Sequence, residues 1–218
     1  GGLGTRLRPL TEKVPKPMIP VAGRPILERL VLHLVGHGFR TIYLAIHYLG
    51  DQIQAHFGNG AAFGCDIRYI VEDRPLGTGG AFALMPSDIA APVLVMNGDL
   101  VTQFDVGKLV DYHVLNGADA TIGVRSYSHQ VPFGVVHRNG DRVVALKEKP
   151  ILEWTINAGI YVLSPALRRH VRRDEPTTVP AILEACIAEG GTVGALHIDE
   201  EWIDVGRHDE LKRAREGT

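Results

Sequence analysis

The stretch from Gly1 to Met18 concentrates groups suited to binding a polyanion. Gly1, Gly2 and Gly4 leave three of the first four positions without a Cβ, so backbone N–H groups there can approach a phosphate closely. Arg6, Arg8, Lys13 and Lys16 face one acid, Glu12, for a local charge of +3. A phosphate loop is the natural use of that density, with a plain glycine turn beside solvated charges as the alternative. The segment is not the dinucleotide fingerprint, because Leu7 stands where the third glycine would fall. Nor is it a Walker A loop, which needs Gly-Lys-Ser/Thr. Two carboxylates extend the chemistry. Asp99 follows the apolar run Pro92–Met96, which predicts the C-terminal edge of a parallel strand, where ligands bind in open α/β sheets. Asp204 follows Trp202-Ile203 in a similar way. Two hard carboxylates plus phosphate oxygens make a Mg²⁺ site with waters completing the octahedron. The alternative is a turn residue and a helix cap.

The elements around these residues alternate short β-branched runs with amphipathic stretches. Strands are predicted at Thr41–Ile46, Cys65–Val71 and Pro92–Met96, and helices at Arg24–Gly38, Asp51–Phe57, Gly79–Met85 and Asp105–Asn116. The first helix puts Ile26, Leu27, Leu30, Leu34 and Val35 on one face, with Gly36 and Gly38 marking its end. This alternation predicts a doubly wound α/β domain with a mostly parallel, Rossmann-like sheet. From about residue 118 the pattern changes to strands with short links: Thr121–Arg125, Gly134–Arg138, Arg142–Lys147 and Ile156–Leu163, with Asn139-Gly140-Asp141 as a turn. A helix at Thr177–Glu189, a strand at Thr192–Ile198 and a helix at His208–Glu216 complete the reading. One domain over 1–218 is expected, with a doubly wound half at about 1–117 and a mixed-strand, substrate-side extension at about 118–218. A glycine-rich phosphate loop normally follows a buried strand, so the chain is expected to continue upstream of Gly1 with at least one further strand.

Composition sets limits on partners. A net charge of −2, with 45% hydrophobic and 22% charged residues, is ordinary for a globular domain and argues against nucleic-acid or anionic-membrane binding. No apolar run reaches the length of a membrane span. Cys65 and Cys186 lie far apart, and no Cys-x-x-Cys or His-Glu-x-x-His spacing suggests zinc or redox chemistry. Both are expected in the core, in a reducing, cytoplasmic setting. His33, His37, His113 and His170 lack spaced partners and are expected in surface or packing roles. Arg168-Arg169 and Arg172-Arg173 are expected on a solvated face, with a homo-oligomer contact as the alternative.

The run Gly1-Gly2-Leu3-Gly4-Thr5-Arg6-Leu7-Arg8-Pro9-Leu10-Thr11, followed by Pro15-Lys16-Pro17-Met18, resembles the signature of the sugar-1-phosphate nucleotidylyltransferases. The likeness continues in order through Pro75–Gly80, Asn97-Gly98-Asp99, Phe133–Val136, Glu148-Lys149-Pro150, Asn157–Tyr161 and Trp202–Gly206. It implies an enzyme in which a sugar-1-phosphate oxygen attacks the α-phosphorus of a nucleoside triphosphate and pyrophosphate leaves. Such a reaction between anions is catalysed by positioning and charge neutralisation. The resemblance gives Arg6 and Lys16 to the triphosphate and, with Asp99, to catalysis. It gives the Gly1, Gly2, Leu3, Gly4 and Thr5 loop to the nucleotide, and Asp99 and Asp204 to Mg²⁺.

On the sugar side, the resemblance implies Glu148 for sugar hydroxyls, Lys149 for the sugar phosphate, and Asn157 and the Gly134 backbone for further hydroxyls. Neighbours in a regular strand point to opposite faces, so Glu148 and Lys149 reach one ligand only if the strand twists or bulges near Pro150. The base is expected beside Glu72, Gly77 and Thr78. An ionised carboxylate only accepts hydrogen bonds, which suits the two adjacent donors of guanine and makes GTP the expected nucleotide. A uridylyltransferase for an N-acetylated sugar is the alternative, as is a silent regulatory subunit of the same fold. The overall run looks most like family members fused behind cystathionine-β-synthase-type regulatory modules.

Overall fold

The computed structural model describes residues 4–216. A two-strand ladder, β1 (Pro20–Val21) with β2 (Arg24–Pro25), leads into α1 (Ile26–Gly36), β3 (Thr41–Ile46), α2 (Gly50–Phe57) and β4 (Asp66–Val71). Helix α1 begins two residues later than its apolar pattern suggests. The residue before a proline avoids the helical region, and Arg24-Pro25 is extended instead. Strands β3 and β4 pair in parallel from Thr41↔Asp66 to Ile46↔Val71. Their Ile42, Leu44, Ile46 and Ile67 pack under Leu27, Leu30 and Val31 of α1 and Ile53 and Phe57 of α2.

After α3 (Ala81–Leu84) come β5 (Val93–Met96), β6 (Leu100–Thr102), α4 (Val106–Leu115), β7 (Ala120–Gln130), β8 (Val135–Asn139), β9 (Arg142–Lys147) and β10 (Ile151–Leu163). The chain closes with α5 (Val179–Ala188), β11 (Val193–His197), β12 (Trp202–Asp204) and α6 (His208–Glu216). Asp105 caps α4 by accepting from Gly107 N–H at 2.9 Å, and Thr178 caps α5 from Ala181 N–H at 3.2 Å. Strands β11, β7, β10 and β5 lie side by side in that order. Strand β11 runs parallel to β7, whereas β10 is antiparallel to both of its neighbours. The strand before Asp99 therefore pairs antiparallel through β10, a correction to the parallel partner expected from its apolar run. Strands β7 and β10 also outrun their predicted lengths, pairing out to Gln130↔Ile151. The outer halves are exposed and carry no burial period. Cross-strand contacts such as Tyr127 with Trp154, ring centroids 6.1 Å apart, accompany this pairing.

Among the described residues, one edge of β3 and one edge of β5 are unpaired, and both strands line a cavity of about 730 Å³. No described helix is long and apolar enough to cross a membrane. Cys186 is buried and Cys65 half-buried, both as free thiols. The arginine cluster departs from its expectation. Arg169 and Arg172 pair with Glu189 and Glu175 at the surface, but the Arg168 guanidinium lies 5.6 Å over the Phe82 ring with Nε and one Nη buried. An arginine stem and plane can cover apolar surface in this way.

Packing also sets a pH dependence. His113 is 3% exposed, with Nδ1 3.0 Å from Thr121 Oγ1 and Nε2 3.3 Å from Ser164 Oγ. Burial holds its pKa below the usual histidine value, against the opposing pull of Asp119. Burial lowers His33 likewise, partly offset by its bond to the Phe104 carbonyl. Both rings protonate less readily in the fold than in the unfolded chain. Their stabilising share is therefore present above the unfolded pKa of about 6.5 and is lost as pH falls through it. We predict that the urea midpoint declines between about pH 7.5 and about pH 5.5, and that His113→Gln shallows the decline. An unchanged slope in the variant would assign the loss to other groups.

Candidate active site

Long-range pairing of two three-residue strands builds the centre of the site. Strand β6 pairs antiparallel with β12, placing Asp204 opposite Leu100, while Val205 N–H donates to the Asp99 carbonyl at 3.1 Å. The two carboxylates are thereby neighbours at the end of β5. Lys16, in the short turn Lys16–Met18, reaches between them: its Nζ donates to Asp99 Oδ2 and lies 3.8 Å from Asp204 Oδ1. Its side chain is 12% exposed, against 23% for Asp99 and 44% for Asp204. Burial, then the Asp99 charge, pushes the Asp204 carboxyl above the usual carboxylate range, with Lys16 and Arg6 pulling the other way. Two carboxylates thus share the one bridging ammonium.

Arg6 completes the cationic side. Leu7, 1% exposed, anchors its turn in an apolar cluster with Ile203, Val205 and Leu211, which leaves the neighbouring Arg6 exposed. A Cβ on Gly206 would stand 3.4 Å from Arg6 Nη2, so the guanidinium lies against the chain just after Asp204. Gly4 has φ +62, and its carbonyl accepts from Thr11 Oγ at 2.8 Å. Thr5 is exposed beside it. Gly1, Gly2 and Leu3, also expected in the phosphate loop, lie outside the described residues.

The donor set fits a divalent metal in a particular way. Asp99 and Asp204 supply two hard oxygen groups, and no described cluster holds three or more candidate ligands. The protein can offer two ligands and leave the remaining positions to phosphate oxygens and water, the pattern Mg²⁺ prefers.

Glu72, Gly77 and Thr78 belong to a loop stitched to the start of α5. Thr177 N–H donates to the Leu76 carbonyl and Gly79 N–H to that of Thr177, both at 2.8 Å. Val179 N–H donates to Thr78 Oγ at 3.2 Å, so that hydroxyl braces the helix. Glu72 is 4% exposed and accepts from Leu76 N–H at 3.4 Å, within its own loop. Thr78 and Gly79 line the same cavity as Lys16 and Asp99.

The sugar-side residues divide into two groups. Asn157 sits at a bulge where the β10–β7 register shifts. Its Oδ accepts from Gly159 N–H at 2.8 Å, and its amide donates to the Tyr161 hydroxyl at 2.6 Å. Gly159, at φ +71, leaves no room for a side chain: a Cβ would stand 2.5 Å from Asn97 Nδ2. Asn97, whose N–H donates to the Gly159 carbonyl at 2.9 Å, is thus the residue that couples the bulge to the Asp99 turn. Its place in Asn97-Gly98-Asp99 was the available sequence signal. Gly134 and Glu148 form the other group, since a Cβ on Gly134 would lie 2.9 Å from Glu148 Oε2. Lys149 has φ +40 beyond the end of β9, so strand alternation does not govern the Glu148-Lys149 pair. No described hydrogen bond or ion pair joins this second group to Lys16, Asp99 or Asp204. Glu210, which sequence reasoning overlooked, accepts from Gly206 N–H at 2.8 Å and secures the chain after Asp204. Its signal was an acid in the first turn of a terminal helix.

The fold and the site define an α/β domain that gathers Lys16, Asp99 and Asp204 where β5 and β12 end, with Arg6 beside them. More narrowly, the Nucleotidyl transferase family profile matches residues 1–218, and the chain belongs to that family. It is 35% identical to a mannose-1-phosphate guanylyltransferase of Mycobacterium tuberculosis, over 98% of this chain and 61% of that protein. A mannose-1-phosphate guanylyltransferase catalytic subunit beta of Danio rerio is 34% identical, over 95% of this chain and 59% of its own length. The chain therefore spans about three-fifths of these curated relatives. Among solved structures, HddC from Yersinia pseudotuberculosis in complex with GMP-PN superposes with a TM-score of 0.76 at 28% identity, covering 100% of this chain and 96% of that one. A putative glucose-1-phosphate thymidylyltransferase from Bacillus anthracis shares the fold at a TM-score of 0.79 and 24% identity, over 99% of this chain and 91% of that one.

Gly77 offers a local test. It holds φ +77, and a Cβ there would lie 2.5 Å from the Thr177 carbonyl oxygen. Left-handed backbone costs a non-glycine residue about 1–2 kcal/mol, and the backbone clash adds to that. Gly77→Ala is expected to lower unfolding free energy by about 2 kcal/mol or more in urea titration. A change below about 0.5 kcal/mol would show that the loop does not depend on its stitch to Thr177.

Proposed function

We propose that this domain transfers a nucleotidyl group from GTP to a sugar-1-phosphate, releasing pyrophosphate, with Mg²⁺ held by Asp99 and Asp204. The observation that carries this reading is the Lys16–Asp99–Asp204 cluster with Arg6 beside it, in a chain of the Nucleotidyl transferase family. The guanine preference is supported by two similar proteins named as guanylyltransferases and by a solved relative complexed with GMP-PN. Mannose-1-phosphate is the first sugar to test, from the names of those relatives. A silent regulatory subunit would have no need to keep Arg6, Lys16, Asp99, Lys149 and Asp204 together in one sequence.

A sugar-phosphate oxygen forms a bond to the α-phosphorus of the triphosphate, and the bond from that phosphorus to the β-bridging oxygen breaks. Lys16 and Arg6 neutralise negative charge on the triphosphate and on the departing pyrophosphate, Lys16 as a point charge and Arg6 through its planar fork. The Gly4 turn presents backbone to the phosphates. From the hairpin side Lys149 receives the sugar phosphate group, while Glu148, with Asn157 and the Gly134 backbone, meets the sugar hydroxyls. Asp99 and Asp204 would hold a divalent metal, which would supply neutralisation of charge on the phosphate oxygens. The two free thiols and the reaction's substrates suit a reducing cytoplasm.

Pyrophosphate release from the full-length protein, across five nucleoside triphosphates and a panel of hexose- and aminosugar-1-phosphates with Mg²⁺, tests the proposal. GTP with mannose-1-phosphate is expected to turn over fastest, and Asp99→Asn to cut kcat by about 10²–10³-fold without lowering thermal stability. Release with every triphosphate except GTP would overturn the guanine assignment. No release in any combination would favour the silent-subunit reading.

A further inference from the structure

Strands β7 and β10 leave the four-stranded sheet together as a two-stranded arm. Strand β11 accompanies β7 only to Val124, and β5 meets β10 only over Ile160–Leu163. Past these points, among the described residues, the two strands pair with each other alone, out to Gln130↔Ile151. Val131 N–H extends the ladder by donating to the Pro150 carbonyl at 2.9 Å, and the β8–β9 hairpin continues the arm from Val135↔Lys147. A ribbon of two strands is marginal in water unless an apolar face of it is covered.

This arm carries apolar side chains in plenty. Among the described residues, nine of the fifteen exposed large hydrophobic side chains fall between Tyr127 and Trp154. Trp154 stands opposite Tyr127 and Leu152 opposite His129, so one face of the outer ribbon is apolar and aromatic. Glu153 opposite Ser128 and Thr155 opposite Ser126 make the other face polar. In the hairpin Val136 pairs across the strands with Leu146, and Leu146 and Phe133 are each 73% exposed. Single exposed apolar residues are ordinary, but a monomer rarely exposes a contiguous patch beyond a few hundred Å². At 42–73% exposure, the nine residues present on the order of 1,000 Å², above the roughly 800 Å² that each partner gives to a stable interface.

We propose that the arm is the surface through which two copies of this chain form a two-fold dimer. The Tyr127–Trp154 face and the β8–β9 hairpin of each copy pack against those of the other. A two-fold contact sets the same patch on both sides, so the two surfaces match in area and in apolar character. Tyr and Trp are the side chains that anchor such contacts. Arg138, Asp141 and Arg142, all exposed near the hairpin tip, bring both signs of charge to the rim. That mixture suits a second copy better than a partner of one charge. Packing the two ribbons together gives each the covered layer that it lacks alone. This inference rests on the surface of the arm and is independent of the catalytic reading.

Sedimentation velocity of the full-length protein over a concentration series, with amide hydrogen exchange at each concentration, tests it. A dimer is expected at micromolar concentration, with protection of residues 127–154 appearing as the dimer does. Leu146→Asp combined with Trp154→Asp, both at exposed positions, is expected to weaken dimerisation about 100-fold or more, while the circular dichroism spectrum stays that of the parent. The exchange readout on the unaltered protein decides the matter if the double variant does not fold. A protein that stays monomeric throughout, with the arm exchanging freely, would overturn the proposal. So would a dimer that both substitutions leave intact, which would place the contact elsewhere. Full protection of the arm at monomeric dilution would also overturn it, by assigning its cover to another part of the same polypeptide.

Discussion

Two carboxylates placed side by side in partly buried surroundings require a cation. Asp99 and Asp204 are brought together by the β6–β12 pairing, and burial, then the Asp99 charge, pushes the Asp204 carboxyl upward. Lys16 supplies the charge from a turn far away in sequence. Partly buried groups are screened less than exposed ones, so the lysine, the aspartates and the strands beneath them form one electrostatic unit. Under the proposed reaction an anionic substrate would add negative charge to this unit, with Arg6 on one side and a divalent metal at the carboxylates to compensate it.

The rest of the site is arranged by backbone geometry that glycines permit. Gly159 allows Asn97 to pack against the β10 bulge, Gly77 allows its loop to close on Thr177, and Gly206 clears space for Arg6. These close approaches fix the β10 bulge, the loop before α3 and the chain after β12 against their neighbours. The reactive charges sit on short turns and strand ends, while apolar clusters around α1, α4 and α5 provide the rigid frame.

Much of the frame was legible because local periodicity reflects burial, and Thr41–Ile46 and His208–Glu216 coincide with β3 and α6. Arg142–Lys147 coincides with β9 although that strand is exposed throughout, because the Asn139-Gly140-Asp141 turn marks its start. The exposed outer halves of β7 and β10, which depend on each other, carry neither signal. The start of α1 was obscured because Pro25 overrides the apolar pattern locally. The residue types of the site were also legible, down to the difficulty of Glu148 beside Lys149, which the positive φ of Lys149 removes. Their mutual positions were not. The meeting of Asp99 with Asp204 depends on pairing between two very short strands about a hundred residues apart, and no local pattern encodes that. The bracing roles of Asn97 and Glu210 escaped for the same reason.

On the proposed reading, Lys16 holds the place between Asp99 and Asp204 that a divalent cation would take. Calorimetric titration of Mg²⁺ into the full-length protein and its Lys16→Met variant, without nucleotide, tests it most directly. Removing the competing ammonium should tighten Mg²⁺ binding several-fold, while Asp99→Asn in the same background should abolish it. Unchanged or weaker binding in Lys16→Met would contradict the account, because the lysine would then be a support for the carboxylates rather than a rival for them.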